Sequence, residues 1–229
     1  MDTQKRMNLK PVVYVGISAL VFMLILSVYG WIQVGPEQKI PVHWGIDGQP
    51  DRYGSKFEGL LSIPLVSVFL LALFLVIPWL EPRRLNLEQS QTAYKAIAIG
   101  LFLFMTILHG VLVLSALGHR FQMNKIVFTG VGFLFVIIGI SIRKIHSNFF
   151  MGIRTPWTLS SELSWQKTHQ LGGILFTVLG IVILILPWFT GGSFLIYVLI
   201  TGIAVVALVP VIYSYVIWKS DPNKQTSGR

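Results

Sequence analysis

Apolar residues in this chain come in six long runs, at roughly 12–32, 60–80, 96–117, 126–142, 172–188 and 194–218. A helix needs about 20 mainly apolar residues to cross a bilayer, and each run meets or approaches that length. Inside hydrocarbon the backbone must satisfy its own hydrogen bonds, so the runs are expected to be helices. Alternation of period two is absent, which argues against a β-barrel, and no repeat or low-complexity segment stands out. The pattern predicts an all-α, polytopic membrane bundle with about six transmembrane helices. Trp31, Trp79, Trp188 and Trp218 fall near the ends of the runs, where interfacial anchors belong.

Composition agrees with the pattern. Charged residues make up 12% of the 229, against about 25% in a soluble domain, and mean hydropathy is +0.71. There is no cysteine, so disulfides, zinc–thiolate sites and cysteine nucleophiles are excluded. The N-terminal "MDTQKRMNLK" is a basic lead-in to an apolar run longer than the roughly 7–15 residues of a signal-peptide core. The first run is therefore read as a retained span.

The net charge of +9 does not call for nucleic acid, because Lys and Arg lie beside the spans. With the N-terminus inside, the cytoplasmic segments hold Lys5, Arg6, Lys10, Arg83, Arg84, Lys95, Arg143, Lys144, Arg154, Lys167, Lys219, Lys224 and Arg229. The outer loops hold Lys39, Arg52, Lys56, Arg120 and Lys125. This bias of 13 to 5 predicts both termini in the cytoplasm.

Two polar loops interrupt the spans. "IPVHWGIDGQPDRYGSK", residues 40–56, carries turn signals at Asp47-Gly48, Pro50-Asp51 and Gly54, and Pro41 biases Ile40 toward extended backbone. A short hairpin on the outer face is expected. Its His43, Asp47 and Asp51 admit a metal or acid/base cluster, a structured binding surface, or plain turn chemistry with Asp side chains on backbone amides; no ligand spacing singles out a metal.

The second loop, "NFFMGIRTPWTLSSELSWQKTHQLGG", residues 148–173, is expected inside. Thr155-Pro156 breaks any helix running in from the fourth span. Thr158 or Ser160 is placed to cap a new helix, with Glu162 in its positive first turn. That helix puts Trp165 and His169 four apart on one face and is expected to lie along the inner leaflet before the fifth span. It reads either as a docking surface or cavity lining, or as an interfacial helix with Arg154 and Lys167 on lipid phosphates.

His109 sits deep in the third run with no charged residue at similar depth, so no proton relay can be assembled around it. A neutral imidazole bonded to a hydroxyl such as Thr106 or Ser115 is the simplest reading. Phosphate-cradle, zincin and nucleophile-elbow signatures are missing.

The two loops resemble a known family. "IPVHWGIDGQPDRYGSK" resembles the signature of a small domain of unknown function in bacterial membrane proteins, and "GIRTPWTL…WQKTHQLGG" that of the SdpI family. "EPRR" after the second run and "VPVIYSYVIW" near the end extend the likeness over nearly the whole chain. The resemblance implies a two-span region at 1–90 with the outer loop, and an SdpI-type four-span region at 91–229. It implies a non-enzymatic immunity protein of the bacterial cell membrane that binds a secreted hydrophobic peptide toxin on its outer face, needs no cofactor and binds no nucleic acid directly. It further implies a receptor role, with an ArsR-type repressor held at the cytoplasmic face. The motif positions are His43, Trp44, Asp51, Tyr53, Gly54 and Lys56 outside, and Asn148, Gly152, Arg154, Thr155, Trp157, Thr158, Trp165 and His169 inside. A peptide exporter is the alternative; the lone His109 and the missing coupling carboxylates count against it. A toxin-degrading membrane enzyme using His43 and Asp51, or His169, is the third reading.

Overall fold

The computed structural model describes residues 7–45, 47–190 and 193–225. Lys5, Arg6 and Arg229, counted above for orientation, lie outside them. In chain order the elements are α1 (Lys10–Gln33), β1 (Ile40–Trp44), β2 (Pro50–Gly54), α2 (Lys56–Leu80), α3 (Arg84–Gln89) and α4 (Gln91–Ala116). They continue as α5 (Met123–Ile142), α6 (Pro156–Ser160), α7 (Glu162–Ile185), closed by a short 3-10 turn at Leu186–Trp188, and α8 (Ser193–Ser220). Six of the helices are long and apolar enough to span a membrane. α1, α2 and α4 pack on one another, α5 packs on α4, and α7 packs between α5 and α8. The outward faces stay apolar, with Tyr14, Ile25, Phe69 and Ile212 all more than half exposed, as a lipid-facing surface requires.

α2 contains Pro64 and Pro78. Neither can donate to the carbonyl four residues back, which orphans Leu60 O and Phe74 O. Both carbonyls are satisfied from outside the helix. Ser27 of α1 donates its hydroxyl to Leu60 O (2.6 Å), and Tyr94 of α4 donates to Phe74 O (2.6 Å). The Ser27 oxygen also lies 3.0 Å from Nε2 of the fully buried His109, which is 3.1 Å from Met23 O. A carbonyl only accepts, so Nε2 carries the proton. His109 thus ties α4 to the place where α1 repairs the α2 proline break. The hydroxyl is that of Ser27 rather than the expected Thr106 or Ser115; Thr106 instead bonds Phe102 O in its own helix.

α5 and α7 approach to backbone contact through two pairs of glycines spaced seven apart. A Cβ on Gly139 would stand 2.7 Å from Gly173 O, and one on Gly180 would stand 2.7 Å from both Gly132 O and Val136 N. Small residues at such positions let membrane helices exchange close van der Waals contact that lipid cannot supply.

The expected interfacial helix before the fifth span is absent. Residues 162–171 are the first turns of α7 itself, a single helix that continues through the bilayer-length apolar run. The caps differ as well: Thr155 caps α6 and Ser161 caps α7, not Thr158 or Ser160.

Candidate functional site

The chemistry-bearing side chains gather at the two opposite ends of the bundle. At one end β1 and β2 form the expected antiparallel hairpin, with Ile40 opposite Gly54, Pro41 opposite Tyr53 and His43 opposite Arg52. Asp47 Oδ1 accepts from Gln49 N (3.0 Å), and Gly48 takes φ +78°, so the turn is built by the residues that signalled it. The hairpin is anchored by Ile40, which is fully buried against Leu60, Leu112 and Val113, with Trp44 packed beside them. Gly59 makes this possible, since a Cβ there would lie 2.6 Å from Ile40 Cγ2.

Of the predicted residues at this end, His43 and Asp51 meet across the strands, Nδ1 to Oδ1 at 2.6 Å, both more than half exposed. Arg52 pairs with Glu58 in the first turn of α2. Gly54 leaves room for the Glu58 carboxylate, and Tyr53 stays exposed. Lys56 donates to Trp31 O (3.0 Å), with its ammonium 5.6 Å from the Trp31 ring centre. Asp47 serves the turn and does not close a metal cluster; among the described residues no three His, Asp or Glu side chains are gathered to hold a metal ion. Beneath the hairpin lies an open cleft of about 1120 Å³. His43, Trp44, Gly45, Asp47, Asp51, Arg52 and Glu58 form its polar side, and Leu108, Leu112, Met123, Val127, Phe128 and Ile196 its apolar side.

At the other end the 143–161 segment folds over α7. Asn148 is fully buried and organises a turn, its Oδ1 accepting from Phe150 N and Met151 N (3.0 and 2.7 Å) and its Nδ2 donating to His146 O. Gly152 takes φ +100°, and a Cβ there would strike His169 Nε2. That nitrogen accepts from Ile153 N (2.8 Å) while Nδ1 lies 2.7 Å from Trp165 O, which fixes a neutral imidazole protonated at Nδ1. Trp165 is fully buried, donates to Ile145 O (2.8 Å) and stacks on the His169 ring at 4.0 Å. Thr155 and Thr158 form a reciprocal capping box, and Thr155 Oγ1 also meets Ser214 Oγ at 3.0 Å. Trp157 packs on Tyr215. Arg154 alone among the eight predicted residues is exposed, and its guanidinium donates to Phe149 O (2.5 Å).

Several residues at this end carried no assignment from sequence. Glu81 is 1% exposed and clasps two backbone amides, Arg83 N (2.8 Å) and Phe149 N (2.9 Å). Arg83 reaches Ser147 Oγ and Leu159 O, and stacks over the Phe149 ring. Both lie in the "EPRR" run, where an acid and a base two residues apart at a span end were the available signal. Ser161 donates to the Asp221 carboxylate, and Gln225 N donates to Ser160 O (2.8 Å), so the C-terminal segment straps α6.

The Ser161 hydroxyl, followed by the Asn223 amide and the Lys224 charge, holds the Asp221 carboxyl below its ordinary value of about 3.9. A depressed carboxyl pKa stabilises the fold above its unfolded value, and the effect is lost as pH falls through the folded one. Asp221→Asn is therefore expected to speed amide exchange at Gln225 at neutral pH. The difference from the unsubstituted protein should fade once the pH drops below the usual carboxylate range.

Six spans with ordered polar structure at both ends define a multi-pass membrane protein. Residues 144–214 match the SdpI/YfhL protein family, and residues 19–68 match a domain of unknown function, DUF1648. The first match contains every predicted residue of the strapped end, and the second contains the whole hairpin. The chain is 25% identical over 213 residues to the immunity protein SdpI of Bacillus subtilis strain 168, covering 92% of this chain and 96% of that one. No solved structure matches it. The protein is thus a multi-pass membrane protein whose residues 144–214 are similar to the SdpI/YfhL family.

Proposed function

We propose that the protein is a membrane immunity protein that binds a secreted hydrophobic peptide toxin in the cleft under the hairpin. The cleft itself carries the reading: one side is apolar and continuous with the bundle, the other is polar and ordered by the hairpin, as a membrane-seeking peptide requires. The basic bias of the segments at the strapped end supports an orientation with both termini in the cytoplasm and the hairpin outside. In that orientation the two-span region 1–90 supplies the polar side of the toxin cleft, and the 91–229 region most of its apolar side. The 91–229 region presents Arg154, Trp157 and Lys167 to an ArsR-type repressor on the inner face.

The test is challenge of sensitive cells with a synthetic sporulation-delaying peptide. Cells expressing the chain are expected to survive. Ile196→Trp, which fills the apolar side of the cleft, is expected to restore killing at an unchanged membrane level. Full killing of cells that carry the unsubstituted chain in their membrane would reject the proposal.

A further inference from the structure

We infer that the first part of α8, residues 193–209, is a lateral gate that swings about Pro210 and admits an apolar peptide to the cleft from the surrounding lipid. The inference rests on the reading of the cleft as the toxin site and supplies its entry route.

The hinge is the first support. Pro210 lies inside α8 and has no amide proton to give to Val206 O. The two matching carbonyls of α2 each receive a hydroxyl from a neighbouring helix. Among the described residues no side chain donates to Val206 O, so the break in α8 has no such splint. Bends in helices concentrate at prolines of this kind. Pro210 is itself buried, seated on α7 where a Cβ on Gly172 would stand 3.7 Å from its Cγ. That contact fixes the pivot.

The way α8 is held differs on the two sides of the pivot. Beyond it, Ser164 donates to Ser214 O (2.8 Å), Thr155 Oγ1 meets Ser214 Oγ, Tyr215 packs on Trp157 and Asp221 takes the Ser161 hydroxyl. Before it, among the described residues, no hydrogen bond or ion pair ties residues 193–209 to another element. They meet α7 through apolar side chains, Val206 packing with Leu179 and Ile183 and Leu199 lying beside them. Lipid tails are as apolar as these side chains, so parting such a seam inside a bilayer costs far less than in water.

Space lies on both flanks of the seam. On one side is the cleft, lined from α8 by Ser193 and Ile196 and from α2 by Ser62 and Ile63. On the other is a groove of about 440 Å³ between α7 and α8, lined by Val178, Val182, Tyr197, Thr201 and Val205. From Ser193 to Pro210 the helix runs about 25 Å at 1.5 Å per residue. A change of about 20° in the kink carries its tip about 9 Å, close to the width of a helical peptide.

The chain has no cysteine, so paired nitroxide labels are placed on the full chain in nanodiscs. Double electron–electron resonance then reads their distances with no toxin present. One pair, Leu65→Cys with Tyr197→Cys, joins exposed sites of α2 and of the gate; the other, Val76→Cys with Val216→Cys, joins α2 to the pinned end of α8. The first pair is expected to give a distribution broader than the second by about 6 Å or more. Pro210→Ala returns an amide to Val206 O and favours the helix, and is expected to bring the first pair to the width of the second. In cells challenged with the synthetic sporulation-delaying peptide, Pro210→Ala is expected to lower the tolerated dose about fivefold or more at an unchanged membrane level, because entry is slowed. A first pair as narrow as the second in the chain with Pro210, or a width that Pro210→Ala leaves unchanged, overturns the hinge and leaves the toxin cleft standing. Full protection by a Pro210→Ala protein whose first pair has narrowed overturns the gate. A broad first pair in a chain that fails to protect rejects the toxin cleft and leaves the hinge standing.

Discussion

Gly139→Val and Gly180→Val are each expected to leave little folded protein in the membrane. A side chain on Gly139 meets Thr177 N at 2.6 Å and Gly173 O at 2.7 Å, and one on Gly180 meets Val136 N and Gly132 O at 2.7 Å. Overpacking a core usually costs about 1–3 kcal/mol, because flexible side chains yield. Here the obstructing atoms are backbone, so α5 and α7 must move apart along their whole shared face. The cost is expected to exceed that range. Thermal unfolding of the detergent-solubilised protein reads it directly. Gly35→Ala is the control, since its new methyl would meet only Gln38 Cβ, at an ordinary 3.9 Å. A Gly139→Val protein with an unchanged melting temperature would show that the helices do not pack this closely.

Trp165→Ala is the second large effect. The residue matches the family signature and reads from sequence as part of a cytoplasmic docking face. In the structure it is fully buried, bonded to Ile145 O and stacked on His169, whose other nitrogen holds the Ile153 amide. Truncating a buried aromatic of this size costs about 3–5 kcal/mol. It also leaves Ile145 O without its donor. The expected result is loss of protein from the membrane, and with it of the proposed protection and the proposed repressor recruitment together. Arg154→Ala removes an exposed guanidinium and is expected to leave the melting temperature within about 1 °C, a change of no more than about 0.5 kcal/mol. If Arg154→Ala abolishes recruitment while protection survives, docking and folding separate at this end. Normal accumulation of the Trp165→Ala protein would place that ring outside the core.

The sequence reveals some of these features plainly and hides others for physical reasons. Hydropathy locates all six spans because lipid imposes one requirement on every residue of a crossing helix. The hairpin is legible because Asp47, Gly48 and Pro50 act on their own backbone, within a few residues. The partner of His109 is not legible, because Ser27 lies 82 positions away and only packing brings them together. Nor is the burial of Trp165, since periodicity shows that it shares a face with His169 but not what covers that face. The paired glycines stood in view at 132, 139, 173 and 180. Their meaning needed the crossing of α5 and α7, which spacing alone does not give.

α2 ends the account, because ordered structure at both ends of the bundle is held at its two ends. Its first turn holds the hairpin through Glu58 on Arg52 and Gly59 beneath Ile40. Just beyond its last turn, Glu81 holds the Phe149 amide of the opposite loop. Between them runs one helix of 25 residues, about 37 Å at 1.5 Å per residue. Its two proline breaks are each splinted by a neighbouring side chain. A push on the hairpin therefore has a stiffened strut to travel along. The loop at its far end must either shift with that strut or release the Glu81 clasp.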